Sequence, residues 1–228
     1  MMASKGTVNL LVIGQSPRPA LESEFRARLG AETEIISIGA LDGMSREEIA
    51  ANPPLSGADT LFTTLPDGSS TLLSKKLVTE RLVDRLETSE FDSKSVTILC
   101  CTGKFPALES AGVLMASDIV AGAISAVVSP NTKLGLFIPN EGQVENARKR
   151  WAANGIEACV VALAPDSSDE TIDKAASTMA EAQPDIVLYD CISYPSSLRS
   201  RAEIKHGTKG ILASSFVART AAELLGIS

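Results

Sequence analysis

The chain has 228 residues, 44% of them hydrophobic, and a formal net charge of −7. This composition excludes a disordered polymer, and the negative charge argues against nucleic acid, whose phosphates attract Lys and Arg. No apolar stretch reaches the ~18 residues needed to span a bilayer, so a cytoplasmic protein without a membrane partner is expected.

The residues around Lys5 lack the long apolar region and cleavage site of a signal peptide. Val8–Ile13 is a short β-rich apolar run and reads as the first strand. Gly14-Gln15-Ser16-Pro17-Arg18-Pro19 follows, with Ser16 expected as N-cap and Pro17 as the first helical residue. Leu21, Phe25 and Leu29 recur every four residues, giving a helix with one apolar stripe that Gly30 ends. Glu34–Ile38 reads as the second strand. Ser45-Arg46-Glu47-Glu48 is a capping-box pattern opening a short helix, which Asn52-Pro53-Pro54 stops. Thr60–Leu65 is the third strand and ends in the turn Pro66-Asp67-Gly68-Ser69-Ser70. Leu72 to Leu86 is a predicted helix with Leu73, Leu77 and Val78 on one side, and Val96–Cys101 is the fourth strand.

The succession then repeats. Ile119–Val128 reads as a buried helix or connecting segment, and Lys133–Ile138 as a strand ending at Pro139-Asn140-Glu141-Gly142. A helix with Val144, Ala147 and Trp151 on one face closes at Gly155, and Glu157–Leu163 is a strand. Ser167-Ser168-Asp169-Glu170 caps a helix carrying Ile172, Ala175, Ala176 and Met179. Ile186–Asp190 is a strand, Ser196–Lys205 a short helix and Gly210–Ala213 a last strand, with Ser214 capping Val217–Leu225. Strands alternating with helices predict parallel sheets covered on both faces. Two such successions predict two α/β lobes with the binding crevice between them.

Chemistry is expected at strand ends in such folds. Cys101 and Cys191 each follow an apolar strand and precede turn-forming residues, Cys101-Thr102-Gly103 and Cys191-Ile192-Ser193. Free cysteine is also among the most buried residue types, and Cys100 and Cys159 fit that reading. Alternation sends Cys100 and Cys101 to different sides, so only one points into a strand-end site, and Cys101 is the better candidate. Two thiols flanking a carbon acid can act in turn as base and acid from opposite faces, and that chemistry needs no cofactor. Gly14 to Arg18 reads either as an anion site, with backbone N–H groups and a bidentate Arg18, or as an ordinary turn with a solvated arginine. The strand-end turns at Asp67 and Asn140 read either as part of the crevice or as surface. No CxxC is present, and the only histidine, His206, sits in a polar stretch and reads as a solvated surface residue, so neither zinc nor a His-based triad is expected.

Ile13–Pro19, Leu99–Pro106, Leu188–Tyr194 and the terminal Ser214–Leu225 segment resemble the AroM family, over nearly the whole chain. That family is similar to the aspartate/glutamate racemase superfamily, which also includes hydantoin racemases, maleate isomerases and arylmalonate decarboxylases. The resemblance implies two pseudo-symmetric α/β lobes with a strand-end cysteine in each, here Cys101 and Cys191. It implies that the C-terminal segment returns to the first lobe, giving 1–104 plus 208–228 as one lobe and 105–207 as the other. Gln15-Ser16 stands where the amino-acid racemases carry Asp-Ser, and Ser193-Tyr194 stands near their histidine, so an amino-acid substrate is not implied.

The expected function is therefore a cofactor-independent racemase or isomerase of a small carboxylate, with Cys101 and Cys191 as the acid/base pair. Ser16, Arg18, Thr102, Gly103 and Ser193 are expected to hold the substrate, joined by Asp67 and Asn140. The rivals are a cysteine-dependent cis–trans isomerase or decarboxylase, and a non-catalytic binding or regulatory protein on the same fold. A homodimer is compatible with all three.

Overall fold

Alternation along the first strand sets up the layers of the fold in the computed structural model, which describes residues 6–89, 91–92, 94–109, 112–129 and 131–227. The N-terminal reading at Lys5 lies outside these residues. Strand β1 (Thr7–Val12) sends Val8, Leu10 and Val12 to a central core and Leu11, with Ile13 just beyond it, to an outer one. The first lobe continues with α1 (Pro19–Leu29), β2 (Glu34–Gly39), α2 (Arg46–Ala50), β3 (Thr60–Thr64), β4 (Ser70–Ser74) and α3 (Lys75–Thr88). Then come β5 (Val96–Leu99), β6 (Leu114–Met115) and α4 (Ala116–Val127). The second half runs β7 (Leu134–Ile138), α5 (Val144–Ala152), β8 (Ala158–Ala162), α6 (Asp169–Glu181) and β9 (Ile186–Tyr189). It ends with α7 (Ser196–His206), β10 (Gly210–Leu212) and α8 (Ala213–Leu224).

Two parallel sheets result, ordered β2-β1-β5-β6 and β8-β7-β9-β10. The orders are the same, so β1 corresponds to β7 and β5 to β9. Leu11 sits opposite Leu99 in one sheet, as Phe137 sits opposite Tyr189 in the other. Apolar side chains of α1, α4, α5 and α8 fill the space between the sheets in one continuous core with Phe25, Leu136 and Trp151. Each sheet's other face has its own core, built on α3 and the β3–β4 hairpin in one lobe and on α6 and α7 in the other.

Several sequence expectations are corrected. The stretch Leu72 to Leu86 is not one helix. Gly68, at φ +85°, lets the chain reverse, and Leu72 and Leu73 pair antiparallel with Phe62 and Leu61 before Ser74 caps α3. This hairpin is the one antiparallel element among the described strands. Helix α1 is capped at Arg18 with Pro19 as its first residue, because Asp42 engages Ser16 instead. Ser214 lies fully buried inside α8 and does not cap it.

The lobe boundaries also differ. β6 joins the first sheet, which therefore extends past residue 104. The C-terminal segment is split: β10 pairs with β9 in the second sheet, while α8 packs against α1 and α4. His206 is buried, not solvated, because its ring completes the outer core beside Phe137 and Tyr189 and hydrogen-bonds the Tyr189 hydroxyl at 3.0 Å.

Candidate active site

The ends of β5 and β9 meet at a cavity of about 180 Å³ between the lobes. Cys101 and Cys191 both line it. Each stands two residues past an equivalent register pair, and each is turned the same way. Cys100 keeps to the central core side, while Cys101 packs with the first outer core and Cys191 with the second. Cys100 also reaches the cavity wall. The backbone N–H of Gly103 donates to the Cys101 thiol at 3.4 Å, and that of Ser193 donates to the Cys191 thiol at the same distance. The two turns after the strands thus present the same donor to the same atom.

Burial raises both thiols, Cys101 to about 12 and Cys191 to about 11. The N–H of Gly103 and the Arg150 guanidinium oppose the rise at Cys101, while Cys191 and Asp190 add to it. The backbone and hydroxyl of Ser193, together with Arg18, oppose it at Cys191. Each thiol therefore has its own arginine, and the two thiols feel each other across the cavity.

Arg18 comes from the start of α1. Its guanidinium donates to the Thr63 hydroxyl in the first lobe and the Ser193 hydroxyl in the second, both at 3.2 Å. Burial lowers its pKa, against the pull of the neighbouring thiols. Arg150, from the last turn of α5, donates to the Thr102 carbonyl at 2.9 Å and pairs with the buried Asp190 carboxylate. Thr102 in turn donates to the Asp190 carbonyl at 3.1 Å.

Of the predicted binding residues, Arg18, Thr102, Gly103 and Ser193 line the cavity; Ser16, Asp67 and Asn140 do not. Ser16 gives its N–H and hydroxyl to Asp42, at 2.7 and 2.8 Å, and so serves the shape of the loop before α1. Asp67 sits at the exposed hairpin tip, accepting from Ser69 and pairing with Arg46. Asn140 accepts from the Gly142 N–H and shapes the short turn before α5. These three side chains make hydrogen bonds or ion pairs with residues away from the cavity wall, a pattern that sequence cannot distinguish from ligand binding.

The sequence reading missed Thr63, Lys75, Arg150 and Asp190 on the cavity wall. Asp190 carried a signal, standing beside a strand-end cysteine. Arg150 carried none, since it reads as one more cation on the polar face of a helix. Among the described residues, no group of three or more His, Cys, Asp and Glu could hold a metal ion. Nor is any helix there long and apolar enough to cross a membrane.

Two matching lobes built on parallel sheets of the same strand order make a racemase-like α/β fold, and solved structures share it. Allantoin racemase from Pseudomonas fluorescens superposes with a TM-score of 0.63 at 10% identity, over 97% of this chain and 92% of that one. Arylmalonate decarboxylase follows at 0.62 and 16%, over 96% and 92%. Glutamate racemase from Francisella tularensis, in complex with D-glutamate, gives 0.58 and 13%, over 98% and 82%. At these identities the likeness is one of fold. No curated protein matches the sequence. The chain belongs to the AroM family, whose model, described as AroM protein, matches residues 8–225.

Proposed function

We propose that the protein is a cofactor-independent isomerase that racemises or epimerises a small carboxylate by proton transfer between two thiols. The observation that carries this reading is the equivalence of Cys101 and Cys191: one cavity, one donor geometry, opposite lobes. The substrate carboxylate pairs with Arg18. One cysteine, as thiolate, removes the proton on the carbon beside that carboxylate, and the carbanion's charge spreads into the carboxylate beside the guanidinium. The other cysteine, as thiol, delivers its proton to the opposite face. The base ends as a thiol and the acid as a thiolate, and the reverse direction uses them in exchanged roles. Burial makes the thiolate scarce at neutral pH but strongly basic once formed, and Arg18 and Arg150 lower the cost of forming it.

The raised thiols favour one second reading. A neutral, high-pKa thiol suits the donor role in a decarboxylation, where it protonates the enolate left by loss of carbon dioxide. Only one cysteine is then needed.

Both readings are tested by incubating the protein in D₂O with chiral amino acids, other small chiral carboxylates, hydantoins and substituted malonates, and following the α-proton signal by NMR, the stereochemistry of the product and release of carbon dioxide. Isomerisation requires conversion of one stereoisomer into the other, with deuterium incorporated, that Cys101→Ala and Cys191→Ala each abolish. Release of carbon dioxide that survives one of the two substitutions establishes the second reading. If no compound is inverted, or inversion survives either single substitution, two-thiol proton transfer is wrong.

A further inference from the structure

Among the described residues, four charged residues line the cavity: Arg18, Lys75, Arg150 and Asp190. Asp190 and Arg150 neutralise one another, and Arg150 has its other arm on the Thr102 carbonyl. Two cations are left. Arg18 is held by two neutral hydroxyls, Thr63 and Ser193, and no carboxylate meets its guanidinium. Lys75, the first residue of α3, makes no ion pair; its ammonium lies 5.5 Å from the centre of the Phe105 ring. In a chain with a formal net charge of −7, the cavity therefore carries two uncompensated positive charges. Arg18, desolvated by burial, is costly to leave without a counterion, and uncompensated positive charge concentrates anions from solution.

We infer that the natural ligand is a small dicarboxylate without an ammonium group, with one carboxylate on Arg18 and the other on Lys75. An amino acid is disfavoured by the same charges. Its ammonium needs an acceptor of opposite sign, and Asp190, the one carboxylate among the described lining residues, is already paired with Arg150 and almost wholly buried. This rests on the carboxylate-binding part of the proposed function and names its substrate class. Lys75 is then a specificity residue: it selects the second anionic group, while Arg18 serves the carboxylate at the reacting carbon.

The test is calorimetric titration of the full-length protein at low ionic strength with malonate, succinate and glutarate, against butyrate and both enantiomers of glutamate. At least one diacid should bind about tenfold or more tightly than butyrate and glutamate, the scale of one charge-assisted hydrogen bond. Lys75→Gln should remove that preference, leaving butyrate binding within about twofold, and Lys75→Arg should keep it. Thermal melting checks that both variants fold. Glutamate binding as tightly as every diacid, a preference unmoved by Lys75→Gln, or no diacid binding overturns the inference. Lys75-dependent diacid binding without proton exchange on any chiral diacid overturns the two-thiol chemistry and leaves the ligand assignment standing. Exchange of glutamate with no diacid preference does the reverse.

Discussion

The Thr102 hydroxyl donates to the Asp190 carbonyl at 3.1 Å, joining the residue after one cysteine to the residue before the other. The bond crosses from lobe to lobe. Arg150 reinforces it by holding the Thr102 carbonyl and the Asp190 carboxylate with one guanidinium. The positions of Cys101 and Cys191 are thus fixed by a short polar bridge beside them as well as by two separate sheets.

Arg150→Ala should therefore affect stability and chemistry together. It leaves the Asp190 carboxylate, 2% exposed, without its partner. The loss should be about 2 kcal/mol in urea denaturation, since water entering past the shortened side chain offsets part of the cost of a buried unpaired charge. Adding Asp190→Asn should recover a good part of that loss, and a double-mutant cycle measures the coupling. Arg150→Lys keeps the charge but cannot make both bonds, so it should retain stability better than proton exchange.

The thiols predict an alkaline limit. Their folded pKa values, about 12 and about 11, lie above the ordinary value of 9.0. The unfolded chain then loses protons first as pH rises. Stability from the buried thiols is complete below about pH 9 and is lost as pH climbs through 11 and 12. Tyr189 and Tyr194, raised by burial, act in the same sense. Denaturation midpoints should fall above pH 9, less steeply in the Cys101→Ala/Cys191→Ala double variant. Iodoacetamide labelling of the ligand-free protein, read by mass spectrometry, should be slow at pH 7.5 and rise about tenfold per pH unit while the thiolate is the minor form.

His206 predicts an acid limit. Burial holds its pKa below the ordinary 6.5, against the pull of Glu203. The unfolded state takes up a proton first as pH falls below 6.5, so stability declines from there down to the folded pKa. His206→Gln, which keeps a partner for the Tyr189 hydroxyl, should flatten this decline in melting temperature between pH 7 and 5.

Gly39 predicts a backbone limit. A Cβ there would lie 2.7 Å from both the Gly14 carbonyl and the Ser16 nitrogen, and backbone cannot swing aside as a flexible side chain can. Gly39→Ala should cost about 2 kcal/mol, an overpacking effect, and should displace the loop that leads to Arg18. Melting temperature and butyrate affinity should fall together.

Much of this protein is legible in its sequence because short-range physics decides it. The capping box at Ser45, the cap at Ser168, and the Leu21/Phe25/Leu29 stripe all appear where the pattern places them. Where two readings compete locally, the outcome depends on partners far along the chain. Leu72 and Leu73 have helical neighbours but pair with β3, because a strand was available across the turn. His206 sits among polar residues but is buried, because Tyr189 and Phe137 arrive from other strands.

The same division runs through the site. The sequence alone determined two strand-end thiols in two repeated α/β halves, since hydrophobic period and turn chemistry are properties of neighbouring residues. Alternation along a strand is local and sends Cys100 and Cys101 to different cores, yet both line the cavity. Only the tertiary structure decided which charges face those thiols. Arg18 lies 175 positions from Ser193 and Arg150 lies 40 from Asp190. Such pairs form only once two sheets and the helices between them have packed, so no window along the chain contains both partners.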